Sequence, residues 1–287
     1  MAGYAITGAT GALGGRVARR LSERGVAQRL VVRDPARAPQ LPGAEAVRAA
    51  YDDGEAMRRA LQGSDTLLLV SASEAPDRVR LHTTAVDAAV AAGVQRIVYT
   101  SFLAAAPDAT FTFARDHWHT EQHLRATGVR HTFLRDSLYL DYFPLFVGSD
   151  GVIRGPAGDG RVGPVARDDV ADVAVAVLLS DGHDERTYDL TGPEAITLQQ
   201  AAEELSRASG RAVTYHAETM EEAYASRASY GAPDWEVTGW VTTYAAISAG
   251  ELDAVSDSVA AVAGHPPLGL AEFLRRNPAS YRHLLPA

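Results

Sequence analysis

The 287-residue chain is acidic, with 27 basic residues against 36 aspartates and glutamates and a formal charge of −9. No Lys/Arg-rich run occurs, which argues against a nucleic-acid-binding surface. There is no cysteine, so disulfides, thiolate nucleophiles and Cys-based metal sites fall away together. Every cation is an arginine, which excludes any mechanism that needs a lysine.

In chain order, short β-branched apolar runs alternate with helical stretches. Strands are predicted at residues 4–7, 29–32, 46–48, 66–70, 96–100 and 131–134. Helices fall between them, including 13–24, where Leu13, Val17 and Leu21 share one face. Another runs from about 114 to 126, with Gly128 as a left-handed cap. Residues 149–164 are rich in Gly and Pro and read as a loop. Beyond it the pattern predicts a strand near 162–166, a helix at 170–179, a strand at 187–190, a helix at 198–209, a strand at 213–216 and helical pieces ending near Phe273. The alternation implies βαβ units with right-handed crossovers, hence an α/β fold with a doubly wound parallel sheet. Residues 1–148 are expected to form a Rossmann domain, and 149–287 a smaller, interleaved α/β lobe for substrate. No apolar run approaches the roughly 20 residues of a membrane span. A strand beginning at Tyr4 leaves no room for a signal peptide, so the expected location is cytoplasmic.

The first strand runs into Gly8-x-x-Gly11-x-x-Gly14 at the start of an amphipathic helix, the context a dinucleotide fingerprint requires. Gly8 permits the tight turn, Gly11 lets backbone approach a pyrophosphate, and Gly14 lets the helix pack on the strand. Thr10, Ala12 and Leu13 belong to the same turn. At the end of the second strand an NAD site wants a carboxylate for the ribose 2′-hydroxyl. Arg33 stands there, with Asp34 next and Arg37 close by, and an arginine suits a 2′-phosphate. NADPH is therefore the expected cofactor. Residues just past the strand ends should line its crevice: Asp52 or Asp53, Ser71, Ala72, Ser73, Thr100, Ser101, Phe102, Asp136, Ser137, Leu138 and Tyr139. An aspartate after the third strand has a second reading, as helix N-cap for residues 54–61.

The segments Ile6–Gly14, Val32–Pro35, Tyr99–Ser101, Glu121–Val129, Thr132–Arg135 and Arg167–Ala171 together resemble the short-chain dehydrogenase/reductase superfamily in its atypical, NmrA-like branch. Leu67–Leu69, Ser71–Glu74, Ala157–Gly160 and Gly264–Pro266 are most similar to type 2 NADPH:quinone oxidoreductases. The resemblance spans nearly the whole chain, and it implies an NADPH-dependent oxidoreductase. The superfamily's usual site pairs Ser with Tyr-x-x-x-Lys. Here Phe113 falls at the tyrosine and His117 at the lysine, so the ordinary alcohol-dehydrogenase mechanism is unavailable. What remains is hydride transfer to an electron-poor acceptor, a quinone or a polycyclic aromatic ketone.

Ser101 and Tyr139 are candidate donors to a developing oxyanion. His117 is a candidate to hold the nicotinamide ribose or relay a proton. Trp118, Tyr139, Tyr142, Phe143, Phe146, Trp235, Trp240 and Tyr244 suit a flat aromatic substrate, and equally ordinary packing. Asp116, His119 and His123 share a helical face, but the spacing lacks the metalloprotease pattern and no metal is expected. Two alternatives stay open: a ketoreductase of aromatic polyketide metabolism, and a sensor that binds NADP(H) without turnover. The expected partner is a small aromatic substrate, with no nucleic acid or membrane. The sequence leaves monomer and homodimer equally open.

Overall fold

A computed structural model describes residues 3–285. Two compact units interleave along the chain. The first comprises the chain up to Pro107 with Asp116–Arg135 and Asp168–Tyr188; the second comprises Asp108–Arg115, Asp136–Arg167 and the chain from Asp189 onwards.

In chain order the first stretch gives β1 (Tyr4–Thr7), α1 (Ala12–Glu23), β2 (Gln28–Val32), β3 (Ala44–Arg48), α2 (Gly54–Leu61), β4 (Thr66–Leu69), α3 (Arg78–Ala91), β5 (Arg96–Phe102), α4 (Thr112–Thr127) and β6 (Arg130–Asp136). Then follow β7 (Val152–Gly155), β8 (Arg161–Val162), α5 (Arg167–Leu179) and β9 (Arg186–Leu190). Seven strands form one sheet in the order β3-β2-β1-β4-β5-β6-β9. The pairs β1·β2, β1·β4, β2·β3 and β4·β5 are parallel. Strands covered on both faces read as continuous apolar runs. Accordingly Leu67, Leu68 and Leu69 of β4 are fully buried. One layer of the first unit's core packs Leu67, Leu69, Ile97, Tyr99 and Phe133 of the sheet against Met57 and Leu61 of α2, Ala85, Val86 and Ala89 of α3, and Leu124 of α4. The apolar stripe Leu13, Val17 and Leu21 of α1 is buried as the periodicity predicts, and Gly128 closes α4 at φ +72°.

The second unit is smaller in its sheets. β7 pairs in parallel with β11 (Thr214–Ala217), and β8 pairs antiparallel with β10 (Ile196–Thr197). Its helices are α6 (Leu198–Ser209), α7 (Met220–Arg227), α8 (Asp234–Ser248), α9 (Ser258–Ala263) and α10 (Leu270–Arg276). Two of them open on capping boxes, Thr197 with Gln200 and Thr219 with Glu222. Among the described residues no helix is long and apolar enough to cross a membrane.

The reading of 149–164 as a loop is corrected, because it carries β7 and β8. Its ladder partner β11 lies about sixty residues downstream, out of reach of a local pattern. The strand expected near 162–166 shrinks to Arg161–Val162, plus a single bridge from Val165 to Tyr139. Pro164 explains the break, since it has no N–H to give a ladder.

Candidate functional site

Strand order reverses between β1 and β4, and ligands of open α/β sheets bind at the carboxyl ends of the strands flanking such a point. A cleft of about 500 Å³ opens there in the first unit. Of the cofactor residues expected from the first four strand ends, Gly8, Thr10, Gly11, Ala12, Leu13, Gly14, Arg33, Asp52, Ser71, Ala72 and Ser73 line it, and Arg37 and Asp53 do not.

The turn is built as the glycine pattern requires. Gly8 sits at φ +64°, where a side chain would be strained. Its carbonyl accepts from the Gly11 amide at 2.8 Å. A Cβ on Gly14 would lie 2.5 Å from the Gly8 oxygen and 2.8 Å from that of Thr7, so only glycine lets α1 approach β1 this closely. Gly11 caps α1 with no side chain, and the first turn of α1 carries no acidic residue. The helix therefore presents unpaired N–H groups and the positive end of its dipole to the cleft, which fits a pyrophosphate. Tyr51 was not foreseen. Its hydroxyl lies 2.6 Å from both Thr7 Oγ1 and the Val70 carbonyl, tying the ends of β1 and β4 together.

The carboxylates after β2 and β3 divide between two uses. Asp34 caps a short 3-10 turn, accepting from the Ala36 amide at 3.1 Å. Arg33 instead lines the cleft and an adjoining recess of about 730 Å³. Among the described residues, Arg48 and Arg59 line that recess with it, whereas the expected Arg37 does not. Asp53 is the N-cap of α2, accepting from the Ala56 amide at 2.9 Å, and Asp52 is left facing the cleft.

The loop after β4 is held from behind. The Ser71 amide donates to Thr100 Oγ1 at 2.8 Å. The Ala72 amide donates to His82 Nε2 at 2.9 Å, and the Ala72 carbonyl accepts from Arg78 Nε at 2.9 Å. Burial pushes the His82 pKa down to about 3, with Arg78 adding to the shift. Neither α3 residue carried a recognisable motif. His117 does not line the cleft; it is 5 % exposed, with Nδ1 2.9 Å from the Tyr99 hydroxyl. Its burial, and the charges of Arg78 and Arg135, hold its pKa well below the ordinary value. Ser101 is also buried, and its hydroxyl donates to Glu121 Oε1 at 2.6 Å. Glu121 is fully buried and paired with Arg135, which donates from Nε at 2.8 Å and Nη2 at 2.7 Å. As placed, Ser101 has no proton free for a second acceptor.

Asp136, Ser137, Leu138 and Tyr139 lie in the second unit. The Tyr139 hydroxyl donates to Asp136 Oδ2 at 2.6 Å. Burial raises the Asp136 carboxyl to about 8, and its Oδ1 is enclosed without a partner among the described residues. The Ser137 amide donates to the Leu190 carbonyl at 3.0 Å. Arg167 stacks 4.5 Å from the Tyr139 ring centre and 4.4 Å from that of Tyr142, an arrangement that only the fold reveals. Phe113 packs edge-on against Phe111 and Trp235. A Cβ on Gly239 would fall 2.3 Å from its ring. Of the metal candidates, His123 Nε2 lies 2.7 Å from Asp87.

Residues 8–181 match the family model described as NAD(P)H-binding. Over 275 residues the chain is 37 % identical to quinone oxidoreductase 2 of Escherichia coli, covering 93 % of this chain and 96 % of that protein. It is 30 % identical over 281 residues to NAD(P)H azoreductase of Xenophilus azovorans, covering 96 % and 98 % respectively. The crystal structure of an Escherichia coli NADPH-dependent quinone oxidoreductase complexed with NADPH has a TM-score of 0.87 and 36 % identity, covering 95 % of this chain and 99 % of that one.

Proposed function

This chain belongs to the NAD(P)H-binding family and is an NAD(P)H-dependent oxidoreductase, and we propose that it is an atypical, NmrA-like short-chain dehydrogenase/reductase that reduces a quinone or a polycyclic aromatic ketone with no proton from the protein. The observation that carries this reading is the state of the acid positions. Phe113 stands where the superfamily tyrosine would donate, and no lysine exists anywhere in the chain. The hydroxyls of Ser101 and Tyr139 already donate to Glu121 and Asp136. An acceptor that must be protonated by the enzyme is poorly served by such a site. A quinone needs little acid help because its developing charge is delocalised, and a ketone with a neighbouring phenol brings its own proton. The relatives named for quinone and azo reduction support a conjugated acceptor.

When bound, NADPH supplies the hydride. In this reading the α1 amides behind Gly11 to Gly14 hold the pyrophosphate, and Arg33 pairs with the 2′-phosphate. Asp52 faces the adenine side. Ser71, Ala72 and Ser73 form the wall behind the cofactor, and His117, although outside the lining of this cleft, is assigned to the nicotinamide ribose as a donor from Nε2. Tyr139 and its aromatic neighbours orient a flat acceptor.

Steady-state NADPH oxidation with a naphthoquinone tests the proposal. Sustained turnover is expected. Stoichiometric NADPH binding without turnover would instead favour a sensor, and turnover restricted to phenolic aromatic ketones would favour a ketoreductase.

A further inference from the structure

We infer that Tyr99 and His82 are positioning residues that fix the His117 proton on Nε2. The inference rests on the reading of His117 as a ribose donor. It starts from a group with no choice of role, because a backbone N–H can only donate. The Ala72 amide meets His82 Nε2 at 2.9 Å, so that nitrogen must carry a lone pair. An imidazolium has none, so His82 is neutral with its proton on Nδ1. From there Nδ1–H donates to Thr120 Oγ1 at 2.9 Å, and Thr120 passes its own proton to the Asp116 carbonyl at 2.8 Å.

The Tyr99 oxygen lies 3.3 Å from the same His82 Nδ1, where it can only accept. Its proton goes to the other nitrogen within reach, His117 Nδ1 at 2.9 Å. That nitrogen is then an acceptor, and the His117 proton is left on Nε2. Among the described residues four titratable side chains from other elements act on this imidazole, Arg78 and His82 of α3, Tyr99 of β5 and Arg135 of β6, and Phe102 of β5 packs against its ring. Both guanidiniums oppose a positive charge on it. The peptide that starts the relay is fixed on its other side by Arg78, and Ala72 lines the cofactor cleft. The cleft wall thus dictates a tautomer two side chains away. Where the resembling superfamily places a cationic lysine, this chain sets a neutral donor of fixed direction.

Two-bond proton–nitrogen spectra of the full chain labelled with ¹⁵N-histidine test the relay. The wild type should show His82 protonated on Nδ1, the less common tautomer, and His117 protonated on Nε2. Both should stay neutral down to about pH 6, below the ordinary histidine pKa. A proton on His117 Nδ1, or a His117 that titrates normally, would overturn the inference, and this spectrum needs no variant to fold. Calorimetry then gives the consequence for cofactor. Tyr99→Phe and His117→Ala should each weaken NADPH by about 2- to 10-fold, the net worth of one hydrogen bond. In the His117→Ala background Tyr99→Phe should cost nothing further, whereas additive losses would mean that Tyr99 acts independently of His117. Unchanged NADPH affinity in His117→Ala, with both tautomers as described, would remove His117 from the ribose while leaving the relay intact.

Discussion

Arg33 and Asp34 are adjacent in sequence and serve different ends. Asp34 spends its carboxylate on a local turn, while Arg33 projects into the cleft with Arg48 close by on the neighbouring strand. Arg33→Glu should weaken NADPH by about 10- to 100-fold, the range of a lost charge-assisted hydrogen bond, while changing NADH far less. Asp34→Ala should leave that ratio alone. Calorimetric titration with both cofactors checks this, and equal losses for the two would remove Arg33 from the role. Asp136 gives a second test at this scale. Burial raises its carboxyl from 3.8 to about 8, so between those values the folded protein keeps a proton that the unfolded chain has released. Stability must then fall as pH rises through the window, by up to about 1.4 kcal/mol per pH unit. Asp136→Asn should flatten that fall in thermal melts between about pH 5 and about pH 7.5. An unchanged slope would mean that Asp136 is ionised in the fold.

At the scale of elements, the β1–α1 turn was legible because everything that specifies it is local: a strand, three spaced glycines and an amphipathic helix. The structure separates two of those glycines. Gly14 is closed off by backbone, whereas a Cβ on Gly11 would lie 3.2 Å from the Gly8 oxygen, a contact that small shifts relieve. Gly14→Ala should therefore destabilise the fold by about 1–3 kcal/mol through overpacking. Gly11→Val should stay folded and lose NADPH, because its side chain stands where backbone meets phosphate. Melting and calorimetry on the pair distinguish the two, and unchanged NADPH affinity in folded Gly11→Val would mean that the phosphate binds elsewhere. The back of the cleft was not legible in the same way. Arg78 and His82 lie in a helix with no motif, and they acquire meaning only when α3 packs behind the β4 loop. Strand β7 was hidden for a related reason, since its partner β11 comes long after it in the chain.

For the whole molecule, composition gave the most useful negative. A chain without lysine cannot assemble the superfamily's Tyr-x-x-x-Lys pair, and the proposed function reads Phe113 at the position of its tyrosine. What the sequence did not reveal is that the hydroxyls of the remaining candidates, Ser101 and Tyr139, already donate to the buried carboxyl groups of Glu121 and Asp136. The Glu121–Arg135 pair that engages Ser101 was visible only as part of a resemblance. In the proposed reaction the enzyme transfers hydride without supplying a proton. General acid catalysis is typically worth about 10²–10⁴-fold, which sets the gap to look for. The direct measurement compares kcat/KM for a naphthoquinone and for cyclohexanone, side by side, with NADPH saturating. The quinone should exceed the ketone by at least about 10²-fold. Equal efficiency on the two substrates would require a protein acid and would overturn proton-free hydride transfer.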